Sequence, residues 1–171
     1  MDELDKEVSV LLANIRKMKK IKIYNITNLI KSYNHQLRFL YYFYSLASMK
    51  HDQYIVLKQK RVKIHTLMYI NLGRGFPKEF MDGHWCYIVK IFGNTKALVI
   101  PTASLKGNDK LGYLQGIIKS YNLETKKIMF SKLKYAELRS VDLQRIYYSK
   151  GIYKVKTSRE EIVRHLYDII I

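Results

Sequence analysis

The sequence predicts an α+β protein, with helices towards both ends and a small barrel or sandwich of short strands between them. Two observations predict this. Apolar residues recur every three or four positions before residue 50 and after residue 158, whereas from residue 61 onward they follow the period of strands. The apolar runs in between are punctuated by turn clusters: Gly73-Arg-Gly75-Phe-Pro77, Gly93-Asn94 and Gly107-Asn-Asp109. A length of 171 residues suits one domain with an extension, and 48% hydrophobic residues supply a packed core and exclude a disordered chain.

Each element has its own signal. Val8, Leu11, Leu12, Ile15 and Met18 mark a first helix, with Lys17, Lys19 and Lys20 near its end, where cations suit the helix dipole. A second stripe runs through Ile30, Tyr33, Leu37, Leu40 and Tyr44, with Asn25 or Thr27 as the cap. Both helices are amphipathic, so each needs a partner: the other helix, the following domain or another chain. Residues 50–60 form a polar connection. The chain therefore divides into a helical extension, 1–60, and a domain spanning 61–171.

Strands are expected over Ile64–Leu72, Trp85–Phe92, Lys96–Pro101, Tyr113–Ser120, Lys126–Phe130 and Tyr135–Val141. Gly93-Asn94 joins the second and third as a hairpin. Ser158-Arg-Glu-Glu161 is a capping box, and Ile162, Val163, Leu166, Tyr167 and Ile170 form the apolar face of a last helix.

Lysine and arginine number 31 against 14 acids, a net charge of +17, which points to a polyanionic partner, either nucleic acid or an anionic membrane surface. The excess is spread over the chain, and part of it matches the Lys- and Tyr-rich habit of an AT-rich genome. The longest apolar run, Phe39–Leu46, is far shorter than the ~20 residues of a spanning helix. Asp2, Glu3, Asp5 and Glu7 make an N-terminus unlike a signal peptide. The expectation is a soluble, cytoplasmic protein with no membrane partner. Cys86 is the one cysteine, which excludes an intrachain disulfide and a cysteine-based zinc site, and its apolar neighbours suit packing rather than nucleophilic work. The five histidines lack metal-ligand spacing, so no metal and no cofactor is expected. Exposed aromatics beside lysines can hold single-stranded RNA, although most of the 15 tyrosines sit at spacings that suit a core.

The stretch Lys134-Tyr-Ala-Glu137-Leu-Arg139-Ser-Val-Asp142-Leu-Gln-Arg145-Ile resembles the late signature of the PemK/MazF family of ribonuclease toxins, roughly Gln-Ile-Arg-Thr-Val-Asp-x-x-Arg-Leu. Met68-Tyr-Ile-Asn-Leu-Gly73 and Ala97-Leu-Val-Ile-Pro101-Thr-Ala-Ser104-Leu-Lys106 stand in the order that family requires. The resemblance covers residues 62–171 and implies an SH3-like barrel with a C-terminal helix. It also implies a metal-independent endoribonuclease toxin, a homodimer neutralised by an antitoxin that is a protein or, as in ToxN-like systems, an RNA. The implied chemistry is attack of a ribose 2′-hydroxyl on the adjacent phosphate, leaving a cyclic phosphate and a 5′-hydroxyl.

The family's catalytic Arg stands five residues after a Glu. Glu79 and His84 have that offset, although alignment on the strand alone puts Trp85 there. Arginine stabilises phosphate charge without releasing protons, whereas histidine titrates near neutrality and can serve as acid or base. The alternative for His84 is a loop histidine bonded to backbone. The family's phosphate-holding Thr falls on Ala103, flanked by Thr102 and Ser104, and Lys106 has the spacing of a ToxN-like lysine. A hydroxyl and an ammonium suit the charge that grows on phosphate oxygens. The expected catalytic set is thus His84, Thr102, Ser104 and Lys106, with Arg139, Lys78 and Arg74 on substrate. A structural ion pair of Arg139 with Asp142 is the other reading of the signature. Two rival functions remain: a non-catalytic RNA- or protein-binding module on the same barrel, and a DNA-binding regulator reading through residues 1–50.

Overall fold

In the computed structural model the chain is α+β and builds a closed antiparallel barrel; residues 2–21, 25–45, 62–73, 79–93, 95–107 and 115–170 are described. Helix α1 (Glu3–Lys19) starts at Asp2, whose carboxylate accepts from the Asp5 N–H at 2.7 Å. Helix α2 (Ile26–Ser45) starts at Asn25, whose side-chain oxygen accepts from the Asn28 N–H at 2.9 Å, so Asn25 rather than Thr27 is the cap. The connection over residues 50–60 lies outside the described residues.

Among the described residues there follow β1 (Thr66–Asn71), β2 (Gly83–Phe92), β3 (Lys96–Ser104), β4 (Gln115–Asn122), β5 (Ile128–Lys134), β6 (Arg139–Asp142), β7 (Ile152–Val155) and helix α3 (Arg159–Ile170). Strand neighbours run β2-β1-β7-β4-β5-β3, and β3 pairs back onto β2, which closes a ring of six strands. Strand β6 stands outside the ring. It lies along residues 96–99 of β3, while residues 102–104 of β3 pair with β5.

Two buried clusters divide the apolar residues. One takes Leu67, Tyr87, Ile100, Ile118, Leu133 and Tyr153, a side chain from each of the six ring strands, and is therefore the barrel interior. The other lies on the opposite face of β1, β2 and β3, where Met68, Ile70, Cys86, Ile88 and Val99 meet Val141, Leu143 and Ile146. Cys86 is fully buried and packs as a small apolar group; burial pushes its thiol far up, with the nearby Arg139 guanidinium acting the other way.

Two expectations are corrected, and one strand is added. Tyr135–Val141 is not one strand: Tyr135–Glu137 forms a 3-10 turn before β6. Tyr135 and Leu138 both pack on the barrel interior, and a spacing of three cannot keep one face in a strand of period two. Strand β7 went unpredicted because it has only four residues, yet Tyr153 and Val155 point inward while Lys154 points out. In α3 the inward residues are Ile162, Leu166 and Ile169, whereas Val163 and Tyr167 are exposed. Its cap is as expected, with the Ser158 hydroxyl accepting from the Glu161 N–H at 3.1 Å.

The extension touches the barrel through α2. The His35 ring lies 5.1 Å from the Tyr147 ring, and its Nε2 stands 3.0 Å from the Tyr147 hydroxyl. Asn71, at the end of β1, also reaches the His35 ring, its side-chain nitrogen 3.3 Å from Nδ1. Helix α1 buries none of its residues. Among the described residues no helix is long and apolar enough to cross a membrane.

Candidate functional site

The β1–β2 hairpin sets the site. Its neck is tied by Leu72 N–H to the Asp82 carbonyl (2.8 Å) and Asp82 N–H to the Gly73 carbonyl (2.6 Å). Arg145 of the late signature reinforces that neck by donating to the Asn71 carbonyl at 3.3 Å. Gly83 opens β2, and its missing side chain matters: a Cβ there would stand 2.5 Å from the Tyr69 ring, which is wedged against Trp85 and Tyr147. Arg74 and Lys78, expected on substrate, lie in the part of this hairpin loop outside the described residues.

His84 is the second residue of β2, opposite Ile70 and half-buried. Phe80 packs on it, with ring centroids 4.8 Å apart. The Phe80 N–H in turn donates to the Glu137 carboxylate at 3.4 Å, and that same oxygen takes the Arg139 guanidinium as an ion pair. A chain of contacts thus runs from His84 through Phe80 and Glu137 to Arg139. It joins the hairpin loop to the late signature across 57 positions of sequence.

Arg139 therefore pairs with Glu137 rather than with Asp142. Asp142 instead caps the 3-10 turn Leu143–Arg145, accepting from the Gln144 N–H at 2.8 Å. The geometric cause is the pleat: Asp142 is opposite Lys96, three rungs from the Arg139–Val99 pair and on the other face.

Strand parity sorts the remaining candidates. Cys86 is opposite Pro101, so His84 and Ala103, each two residues beyond that rung, share a face. Thr102 projects the other way into the barrel, is buried, and donates its hydroxyl to the Trp85 carbonyl at 2.9 Å. Its hydroxyl is committed to holding β3 on β2, which removes Thr102 from the surface that carries His84. Ser104 has the same parity as Thr102 but is exposed at the last β3–β5 rung, opposite Ser131. Lys106 follows it in the exposed turn beyond β3. The structure thus gathers His84, Glu137 and Arg139, and leaves Ser104 and Lys106 at the strand's end.

Sequence reasoning missed Phe80, which both covers His84 and binds Glu137. The available signal was an aromatic residue inside a loop otherwise rich in turn formers, Phe80-Met-Asp-Gly83. Beside the site, a cavity of about 300 Å³ separates α2 from the hairpin neck, lined by Asn28, Lys31, Ser32, Asn71, Asp82 and Gly83. A second, of about 310 Å³, lies between α2 and the segment carrying Asp142, Arg145 and Tyr147, and none of the expected catalytic residues lines it. Among the described residues no three His, Cys, Asp or Glu side chains gather as a metal ion would require.

No protein-family model matches the chain, and no curated protein matches it either.

Proposed function

We propose that the protein is an endoribonuclease toxin of PemK/MazF type, cleaving single-stranded RNA without a metal ion at a surface centred on His84. The observation that supports this reading most is convergence. The segments that carry the resemblance are far apart in sequence, yet they meet on one face: Ile70 opposite His84, Cys86 opposite Pro101, Val99 opposite Arg139, and Phe80 bonded to Glu137. The closed barrel with its C-terminal helix suits the SH3-like form that the resemblance implies.

In this reading His84 takes the proton of the ribose 2′-hydroxyl or supplies one to the departing 5′-oxygen. The 2′-oxygen–phosphorus bond forms and the phosphorus–5′-oxygen bond breaks, giving a 2′,3′-cyclic phosphate and a 5′-hydroxyl. Arg139, held by Glu137, supplies positive charge near the phosphate, and Ser104 and Lys106 contribute from the rim. Ala103 leaves no hydroxyl on the His84 face at the position of the family's Thr, which places more of the work on proton transfer.

The test is incubation of the purified protein with mixed RNA in excess chelator, followed by end analysis. Cyclic-phosphate ends formed in chelator support the reading. Cleavage that needs added magnesium overturns it, and intact RNA favours a binding module on the same barrel.

The reading includes a homodimer and an antitoxin, protein or RNA. Helix α1 supplies a contact for the dimer. Leu4, Val8, Leu11 and Leu12 are exposed along it, its acids (Asp2, Glu3, Asp5, Glu7) sit at one end and Arg16, Lys17, Lys19 and Lys20 at the other. Two copies packed antiparallel about a two-fold axis bring each acidic end against a basic end.

A further inference from the structure

The barrel wall made by β7, β4 and β5 has an outer face that the His84 site does not use. Along β4 the inward residues Ile118, Ser120 and Asn122 are buried, while Lys119 is exposed and Tyr121 half-exposed on the outside. On β5 the outward Ile128 and Phe130 remain 55% and 49% exposed. Strand register sets these residues in rows. Lys154, Tyr121 and Ile128 stand side by side, and Lys119 and Phe130 form the next row, with Lys156 beside Lys119 through its N–H to the Lys119 carbonyl at 2.8 Å. The ammonium groups lie against the rings: Lys156 Nζ is 4.7 Å from the centre of Tyr121 and Lys119 Nζ is 5.7 Å from that of Phe130. Strands β4, β5 and β7 contain no Asp or Glu.

We infer that this face is a binding track for single-stranded nucleic acid, with bases stacked on Phe130 and Tyr121 and phosphates neutralised by Lys119, Lys154 and Lys156. Ile128, Phe130 and Tyr121 lie in adjacent rows as one exposed apolar patch, the kind of surface that marks an interaction site, and flat rings flanked by cations meet both parts of a nucleotide at once. A duplex hides its bases and offers only phosphates, so the aromatic rows select an unpaired strand. A protein partner of opposite charge would use the lysines equally well but would not need exposed rings at strand-to-strand spacing. The inference rests on the RNA-cleaving reading and deepens it, since a strand held along this wall is anchored away from the bond being cut.

The test uses fluorescent single-stranded DNA of mixed sequence. It lacks the 2′-hydroxyl and is not consumed, so binding is read independently of cleavage. Phe130→Ala is expected to weaken binding about 5- to 100-fold while the thermal melt stays within a few degrees. Lys119→Gln combined with Lys156→Gln is expected to reduce the slope of log affinity against log salt by about 1.4, the loss of two phosphate contacts. Duplex DNA of equal length should bind more weakly and respond little to Phe130→Ala. Unchanged affinity in both variants overturns the track, as does a lysine effect with no Phe130 effect, which reduces the face to a charged surface suited to a protein. Normal binding that depends on Phe130, combined with absent RNA cleavage, keeps this inference and sinks the nuclease reading.

Discussion

Thr102 and His84 project from opposite faces of neighbouring strands, and the Thr102 hydroxyl donates to the backbone carbonyl of Trp85, the residue beside His84. Their substitutions should therefore separate cleanly. Thr102→Val removes one hydrogen bond inside the barrel, at a cost of about 1 kcal/mol in stability, and leaves cleavage within a few-fold of wild type. His84→Ala should lower single-turnover cleavage by about two to four orders of magnitude with an unchanged melt. His84→Arg distinguishes the two roles, because substantial activity there means that charge rather than proton transfer matters. Full cleavage by His84→Ala, in a preparation free of contaminating nuclease, removes His84 from the chemistry.

Glu137 is the next test, since one carboxylate oxygen serves both Arg139 and the Phe80 N–H. Glu137→Gln keeps an acceptor for Phe80 and loses the ion pair; Glu137→Ala loses both. Because the two side chains are only 29% and 21% exposed, the alanine variant should cost about 1–3 kcal/mol and the glutamine variant less. Cleavage should fall in the same order, through the position of Phe80 over His84. Equal activity in both variants and the wild type would show that this contact chain is structural alone.

His65 gives a pH signature. Burial lowers its pKa from the ordinary 6.5, Arg159 adding to the effect, Glu160 opposing it and Lys154 adding again, while its Nδ1 lies 2.9 Å from the Tyr87 hydroxyl. The folded protein thus favours the neutral ring. Stability is complete above the unfolded value and declines as pH falls from about 6.5 through the lower folded value. At the alkaline end Tyr87, pushed up to about 12 by burial, contributes stability that is present below the ordinary 10 and lost between there and 12. Urea titrations at pH 7.5 and pH 5 should show the acid loss. His65→Asn, chosen because the residue has φ +61, should flatten it. A slope unchanged in that variant assigns the effect to other groups.

For α1, removal of residues 2–21 should convert the proposed dimer to a monomer in sedimentation without unfolding the barrel, because no α1 side chain is buried. Replacing Lys17 and Lys19 by Glu should weaken the dimer and make it less sensitive to salt. Adding Glu3→Lys and Asp5→Lys to that variant should restore it. A monomeric wild type, or a dimer indifferent to these charges, rules out this contact.

The readable parts of the sequence were those governed by local rules. The caps at Asn25 and Ser158, the continuous apolar run of β2 and the turn at Gly93 all rest on near neighbours in sequence, and each stands where the local pattern places it. Glu137 and Arg139 could be singled out as a motif, but their meeting with Phe80 depends on how the barrel folds back, and spacing alone carries no such information. Parity was in principle available for Thr102, which alternates with Pro101 and Ala103, yet which face was interior became clear only once the ring was closed. Strand β7 was too short for its pattern to stand out.

That short strand has a consequence for how the chain is made. β7 alone joins β1 to β4, pairing Leu67 with Tyr153 and Tyr121 with Lys154. Until residue 155 has emerged from the ribosome the ring stays open, with the edges of β1 and β4 unpaired and the barrel's apolar lining facing water. Contacts this distant in sequence also form slowly. Before that point a chaperone or a partner that binds unpaired strand edges meets an open ring, and after it those edges are gone.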